Sequence, residues 1–229
     1  MSVTRWFNES FNSMSAYKKG NQSRDEIVNI SREIFNNMGI HITLKNLAES
    51  MNSTMGKLTH HFPNKDFLFI AIAQDYEDKL AELRSKRNFN SFDFGAFITV
   101  AAEVMDLQYD YRCAVRYNIS SLNTQSEVKT HLSETYQNSS KSIRNTINAL
   151  VDAGSLNSKV LEDKTYEVFL FQITNLFTNW VINLELYDIG KTYTEMKPVY
   201  LKGIISIFLP FLTEKGFREL TDNIFYSSY

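Results

Sequence analysis

Apolar residues return every three or four positions along most of the chain, with few turn-forming residues between them. From Ser23 to Gly39 the apolar set is Ile27, Ile30, Ile34, Phe35 and Met38. This is the i, i+3, i+7, i+8, i+11 stripe of one buried helix face. Ser23-Arg24-Asp25-Glu26 fits a capping box at its start, the hydroxyl and the carboxylate each satisfying a free backbone donor. Gly39 ends the helix where a left-handed conformation costs glycine little. Thr43 is the expected cap of a second helix with Leu44, Leu47 and Ala48 inward. Met51-Asn52-Ser53 forms a turn in which Asn52 tolerates left-handed backbone. Thr54 caps a third, very short helix anchored by Leu58, which leaves Met55, Lys57, Thr59 and His60 pointing elsewhere. Phe62 packs back, Pro63 stops the helix, and Asn64 caps the next, with Asp66 favourable in its first turn.

The same period continues beyond this head. One long helix is predicted from Asp66 to Arg87 with Phe67, Leu68, Ala71, Tyr76, Leu80 and Leu83 on its buried side, then a loop at Asn88-Phe89-Asn90-Ser91. Further helices are predicted over 92–108, 111–121, 126–153, 162–188, 195–213 and 216–225. Gly154 and Gly190 mark two of their ends, Lys215-Gly216 separates the last pair, and Pro198 suits a first turn. In 162–188, Phe169, Phe171, Ile173, Leu176, Phe177, Trp180, Val181 and Leu184 make the helix apolar almost all round, as in a helix buried on several sides. Ile204, Ile205, Phe208, Leu209 and Leu212 give the next long helix the same character.

Only 8 Gly and 3 Pro are present, too few for the many tight turns of an all-β fold. The expected class is therefore all-α, with an N-terminal extension over 1–22, a three-helix head over 23–68 and a helical body over 69–229. The net charge of −2 conceals an asymmetry. Residues 1–65 carry 8 Lys and Arg against 5 Asp and Glu, whereas 66–229 carry 16 against 21, so a basic head sits on an acidic body. Cys113 is the single cysteine, which excludes an intrachain disulfide and points to a reducing compartment, the cytoplasm. No apolar run of membrane-spanning length occurs, and residues 1–7 lack the apolar core of a signal peptide.

Helix, short turn, helix is the geometry that places a second helix in the major groove. Thr43, Thr54 and Thr59 offer hydroxyls suited to phosphate oxygens, and Lys45, Lys57 and Lys65 offer charge. Gly56 removes a side chain where backbone must approach a phosphate closely, and Met55, Lys57 and His60 face outward, the last two within reach of base edges. Adjacent His60 and His61 point about 100° apart on a helix and lack Cys or carboxylate at ligand spacing, so no metal is expected. In the extension, Arg5, Lys18 and Lys19 suit a DNA-following arm, whereas Trp6, Phe7, Phe11 and Met14 suit packing. No nucleophile frame, phosphate-cradling loop or paired carboxylates appear, so no catalysis and no cofactor are expected.

The segment resembles the DNA-binding domain of TetR-family bacterial repressors. Ile27-Val28, Phe35, Gly39, Thr43-Leu44, Leu47-Ala48, Gly56, Leu58, His61-Phe62-Pro63 and Lys65 stand in register with that family's pattern. The chain departs from it at Met51-Asn52-Ser53, where Ala-Gly-Val is usual, at Met55 in place of Lys, and at Thr59 in place of a backbone-touching Tyr. These changes bear on affinity and base preference more than on fold. The resemblance implies a homodimeric transcriptional repressor that binds double-stranded DNA and is released by a small-molecule effector. Tilt of the helix after the head would alter the spacing of the two heads in a dimer. The resemblance also implies a dimer interface on the last long helices, through Phe177, Trp180, Leu184, Ile204, Ile205, Phe208 and Leu212. It implies a ligand cavity in the body, for which Tyr109, Tyr111, Arg112, Arg116, Tyr117, Phe171 and Asn175 are candidates. The competing reading is a helical ligand-binding or interaction module that has lost DNA binding.

Overall fold

The structure of the protein, a computed structural model, describes residues 23–86, 92–120 and 126–223, with side chains throughout except at 119 and 126–136. The expectations for the N-terminal extension and for residues 224–225 lie outside these residues. The described residues are helical, and the one isolated antiparallel bridge joins Leu156 to Leu212. The chain divides into two compact units, Met1–Gln74 and Asp75–Tyr229.

In the first unit, α1 spans 23–38, α2 Leu44–Ser50 and α3 Met55–His61, and α4, Lys65–Ser85, begins. The local signals act as the sequence predicts. Thr43 Oγ1 accepts from the Asn46 amide at 3.2 Å, Thr54 Oγ1 from the Lys57 amide at 3.2 Å, and Asn64 Oδ1 from the Phe67 amide at 3.1 Å. Gly39 has φ 91 and Asn52 φ 50, each in the left-handed region. Ile27, Val28, Phe35, Leu47, Ala48, Leu58, Phe62, Leu68, Phe69 and Ile72 form the core, with the Phe35 and Phe69 rings stacked at 4.5 Å.

Three inward assignments are corrected. Ile30, Met38 and Phe67 are exposed. The buried face of α1 is centred on Val28, Ser31 and Phe35, which turns Ile30 aside, and Met38 is the last residue of the helix. On α4, Leu68, Phe69 and Ile72 take the interior, and Phe67 is rotated out.

The second unit contains the rest of α4, then α5 (Phe94–Asp110), α6 (Arg112–Ser120), α7 (Ser126–Asp152), α8 (Asp163–Leu186), α9 (Tyr193–Ser206) and α10 (Glu214–Thr221). Short 3-10 turns occupy Ser158–Leu161 and Leu209–Phe211. Its core is centred on Phe208, whose ring lies 4.7 Å from Phe97, 5.0 Å from Phe169 and 5.3 Å from Phe94.

The expected 195–213 helix is shorter and starts earlier. Thr192 and Glu195 form a complete capping box, so α9 begins at Tyr193. Pro198 therefore lies inside the helix, where its missing N–H removes one interior bond, instead of in the first turn. The helix stops at Ser206, and Pro210 sits in the following 3-10 turn. Gly216 lies in the first turn of α10 instead of breaking a helix pair. A Cβ there would stand 2.2 Å from the Ser155 carbonyl oxygen, so only glycine permits this approach. Glu219 completes the junction by accepting from the Ser155 hydroxyl at 2.6 Å and the Phe94 amide at 3.0 Å. No helix among the described residues is long and apolar enough to cross a membrane.

Candidate nucleic-acid interface

The short helix α3 divides its residues sharply. Leu58 is 1% exposed and fixes the helix to the head's core, while Met55, Gly56, Lys57 and His60 face solvent. Thr59 is half-buried, and its hydroxyl donates to the Met55 carbonyl at 2.9 Å, so its proton is spent within the helix. Thr43, Lys45 and Thr54 are exposed. The oxygens of Thr43 and Thr54 accept backbone bonds as caps, which leaves each hydroxyl proton available to a phosphate. A Cβ built on Gly56 meets nothing within 4 Å, so no packing inside the protein demands glycine there.

The end of α3 is electropositive. His61 is held below the usual histidine range, first by burial and then by the charges of His60, Lys57 and Arg24. Arg24 also lies over the Phe62 ring, 5.2 Å from its centroid. Sequence reading missed Arg24 because capping marked it only as a first-turn residue. Its proximity to α3 is a tertiary fact.

Lys65 requires a correction. Its Nζ donates to the Ile40 carbonyl and, at 3.0 Å, to the Ile42 carbonyl, and lies 5.5 Å from the Phe35 ring centroid and 6.0 Å from that of Phe69. Burial holds its ammonium below the usual lysine range, with Asp66 opposing. The side chain thus closes the α1–α2 turn, because two carbonyls left free by that turn lie within its reach.

The body residues are also redistributed. Trp180, Leu184, Ile204, Ile205 and Phe208, expected at a dimer interface, are buried within the single chain, and Phe177 and Leu212 are half-buried against the same core. Helices α8 and α9 turn these faces toward their own unit. The apolar residues they leave outside are Val168, Phe171 and Val199, with Leu186, Tyr187 and Ile189 exposed around the α8–α9 turn. Of the expected ligand residues, Phe171 is 68% exposed and Asn175 is exposed beside it, donating to its carbonyl at 2.8 Å. The reason is rotational. Phe169 and Ile173 take the interior, and Phe171 stands about 200° from Phe169 around the helix.

Tyr111 is buried and donates to Asp75. Tyr109 stacks on Tyr193 at 4.2 Å, and Arg112 lies 4.3 Å from the Tyr109 ring centroid while donating to its carbonyl at 2.8 Å. Arg116 Nε stands 2.7 and 2.6 Å from the two Glu185 oxygens, a charge-assisted pair. Tyr117 is half-buried. One polar residue that sequence reading passed over holds the interior together. Gln108 accepts from Trp180 Nε1 at 2.6 Å and donates to the Phe177 carbonyl at 2.9 Å. Among the described residues no group of three or more His, Cys, Asp or Glu stands ready to hold a metal ion.

Residues 75–220 match the family model TetR, described as a bacterial transcriptional repressor. The chain belongs to the TetR family. The resemblance seen in the head is thus matched independently by the body, and the protein is a TetR-family transcriptional regulator. It is similar to the HTH-type transcriptional repressor AcnR of Corynebacterium glutamicum, with 33% identity over 75 residues, 32% of this chain and 40% of that protein. The match therefore spans less than half of that relative's length. A solved TetR-family transcriptional regulator from Marinobacter aquaeolei shares the fold with a TM-score of 0.76 and 22% identity, over 89% of this chain and 98% of that one. A bacterial regulatory protein of the same family from Rhodococcus shares it with a TM-score of 0.59 and 16% identity, over 81% and 96%.

Proposed function

We propose that this TetR-family regulator is a homodimeric repressor that reads a palindromic DNA site through α3 and is released from it by a small molecule bound in the body. The observation that carries the reading is α3 itself, anchored by Leu58 alone and presenting Gly56, Lys57 and His60 outward beside Arg24. Lys57 supplies phosphate charge, His60 reaches base edges, and the caps Thr43 and Thr54 place hydroxyls at the starts of two exposed helices. Met55 and Lys45 flank this surface, while Lys65 supports it from within.

Dimerisation falls to the outer face of α8 and α9, where Val168, Phe171 and Val199 stay exposed in the single chain and Asn175 and Gly203 share the solvent side. Apolar side chains of that size on a long helix pair are more readily explained by a covering partner than by solvent. Release by an effector requires that the ligand bind one spacing of the two heads better than the other.

Selection of bound sequences from a random DNA library, followed by titration of the enriched site, tests the reading. A palindromic site is expected, with affinity falling about 10³-fold between 50 and 200 mM salt if some six phosphates are neutralised. Lys57→Ala and His60→Ala each weaken binding. Failure to enrich any sequence while the protein remains dimeric would favour the interaction module instead.

A further inference from the structure

The exposed side of α3 is divided by chemistry. Met55 is 42% exposed, and Thr59 follows it by one turn on the same flank. The Thr59 hydroxyl gives its proton to the Met55 carbonyl at 2.9 Å, so this flank offers a thioether and no free side-chain donor. Lys57 stands about 200° from Met55 around the helix, and Gly56 and His60 lie between them on the side opposite Leu58. The helix therefore carries charge on one flank, an apolar group on the other, and bare backbone with an imidazole in the middle. Single exposed apolar residues are common on any protein surface, and Ile30, Met38 and Phe67 are such residues on α1 and α4. Met55 differs from them in place. It opens the helix that carries Lys57 and His60, directly after the cap Thr54.

In the major groove the base edges present hydrogen-bond donors and acceptors, and thymine alone adds a methyl group. Against a thioether, an amino or carbonyl edge loses water and gains no partner. The thymine methyl loses nothing there and is itself removed from water. The unbranched, polarisable methionine side chain adapts its shape to such a contact. Residues at the start of a recognition helix are the ones that meet base edges. Gly56, next in the chain, adds no side chain that would hold this end of α3 away from a duplex.

We propose that Met55 reads thymine: its side chain rests on the C5-methyl group of a T·A pair in the major groove, so each half of the bound site carries a thymine at one fixed position. This rests on the reading of α3 as the DNA-reading helix and names a base that it selects.

The test uses the full chain and the DNA site it enriches from a random library. Uracil replaces each thymine of that site in turn, which removes the methyl group and leaves the pairing with adenine intact. At one position in each half-site the wild-type protein loses about fourfold in affinity, the worth of one buried methyl group. Met55→Gln, similar in length but polar, shows no loss at that position. Met55→Leu, still apolar and of similar volume, keeps it. The proposal is overturned by an enriched site without a fixed thymine in each half, or by one in which no uracil lowers affinity. It is equally overturned by a loss that persists in Met55→Gln or vanishes in Met55→Leu. Enrichment of no sequence sinks the DNA-reading assignment of α3 and this proposal with it, whereas an enriched site without a Met55-dependent methyl effect sinks this proposal alone.

Discussion

The head and the body treat their cations in opposite ways. Lys45, Lys57 and His60 stand exposed in the head, whereas Arg116, Lys191 and Lys197 in the body close on Glu185, Asp188 and Asp106. The more exposed of these pairs, Lys191–Asp188 and Lys197–Asp106, add little stability, but all three cancel charge that would attract a polyanion. On the proposed function, the contrast separates residues that meet DNA from residues that fasten the chain to itself. In the head, Arg32 and Lys65 depart from this pattern, the first paired with Glu33 and the second turned inward to two carbonyls.

Two of the helical glycines, Gly216 and Gly56, sharpen this contrast most directly. Gly216→Ala forces a Cβ against the Ser155 carbonyl and should destabilise the body by about 3 kcal/mol, read as a fall in the urea midpoint at unchanged slope. Unchanged stability would mean that α10 does not approach Ser155 so closely. Lys65→Met should cost the head about 2 kcal/mol by stranding the Ile40 and Ile42 carbonyls, and hydrogen exchange in the α1–α2 turn would report it. If Lys65→Met instead weakens DNA binding without loosening that turn, the lysine is a phosphate contact after all. Gly56→Ala should do the reverse of Gly216→Ala. It should stabilise the head by about 0.5–1 kcal/mol through helix propensity, because the space the methyl fills is open, while weakening DNA binding about tenfold on the proposal that DNA backbone approaches Gly56. Equal DNA affinity would remove Gly56 from the interface.

The smallest effect concerns pH. His61 titrates lower in the folded head than in the unfolded chain, whose histidine has the usual value near 6.5. Its neutral form costs nothing above that value, and stability falls as pH drops below it, because the unfolded state takes up the proton first. His61→Asn should flatten that part of the pH–stability curve. A decline of the same steepness in the variant would assign it to other groups.

What the sequence made legible was mostly short in range. Thr43, Thr54, Asn64, Asn52 and Gly39 act on neighbours within three or four positions, so their roles follow from spacing alone. The Thr192–Glu195 capping box was equally legible in principle and was overlooked because Pro198 drew the helix start toward itself. The Lys65 amine meets carbonyls at Ile40 and Ile42, and no local pattern announces a partner that distant. On α8 the difficulty was different. A helix apolar on nearly every side carries no stripe to say which residues face inward, so Trp180 and Phe171 looked alike until packing separated them.

The Glu219 junction has a bearing on synthesis. Its bond to the Phe94 amide spans 125 positions, so the start of α5 must wait for the last described helix before this junction can close. The head needs nothing beyond Gln74 to complete its compact unit. On the ribosome the DNA-reading end is therefore finished while the body is still an open, apolar chain.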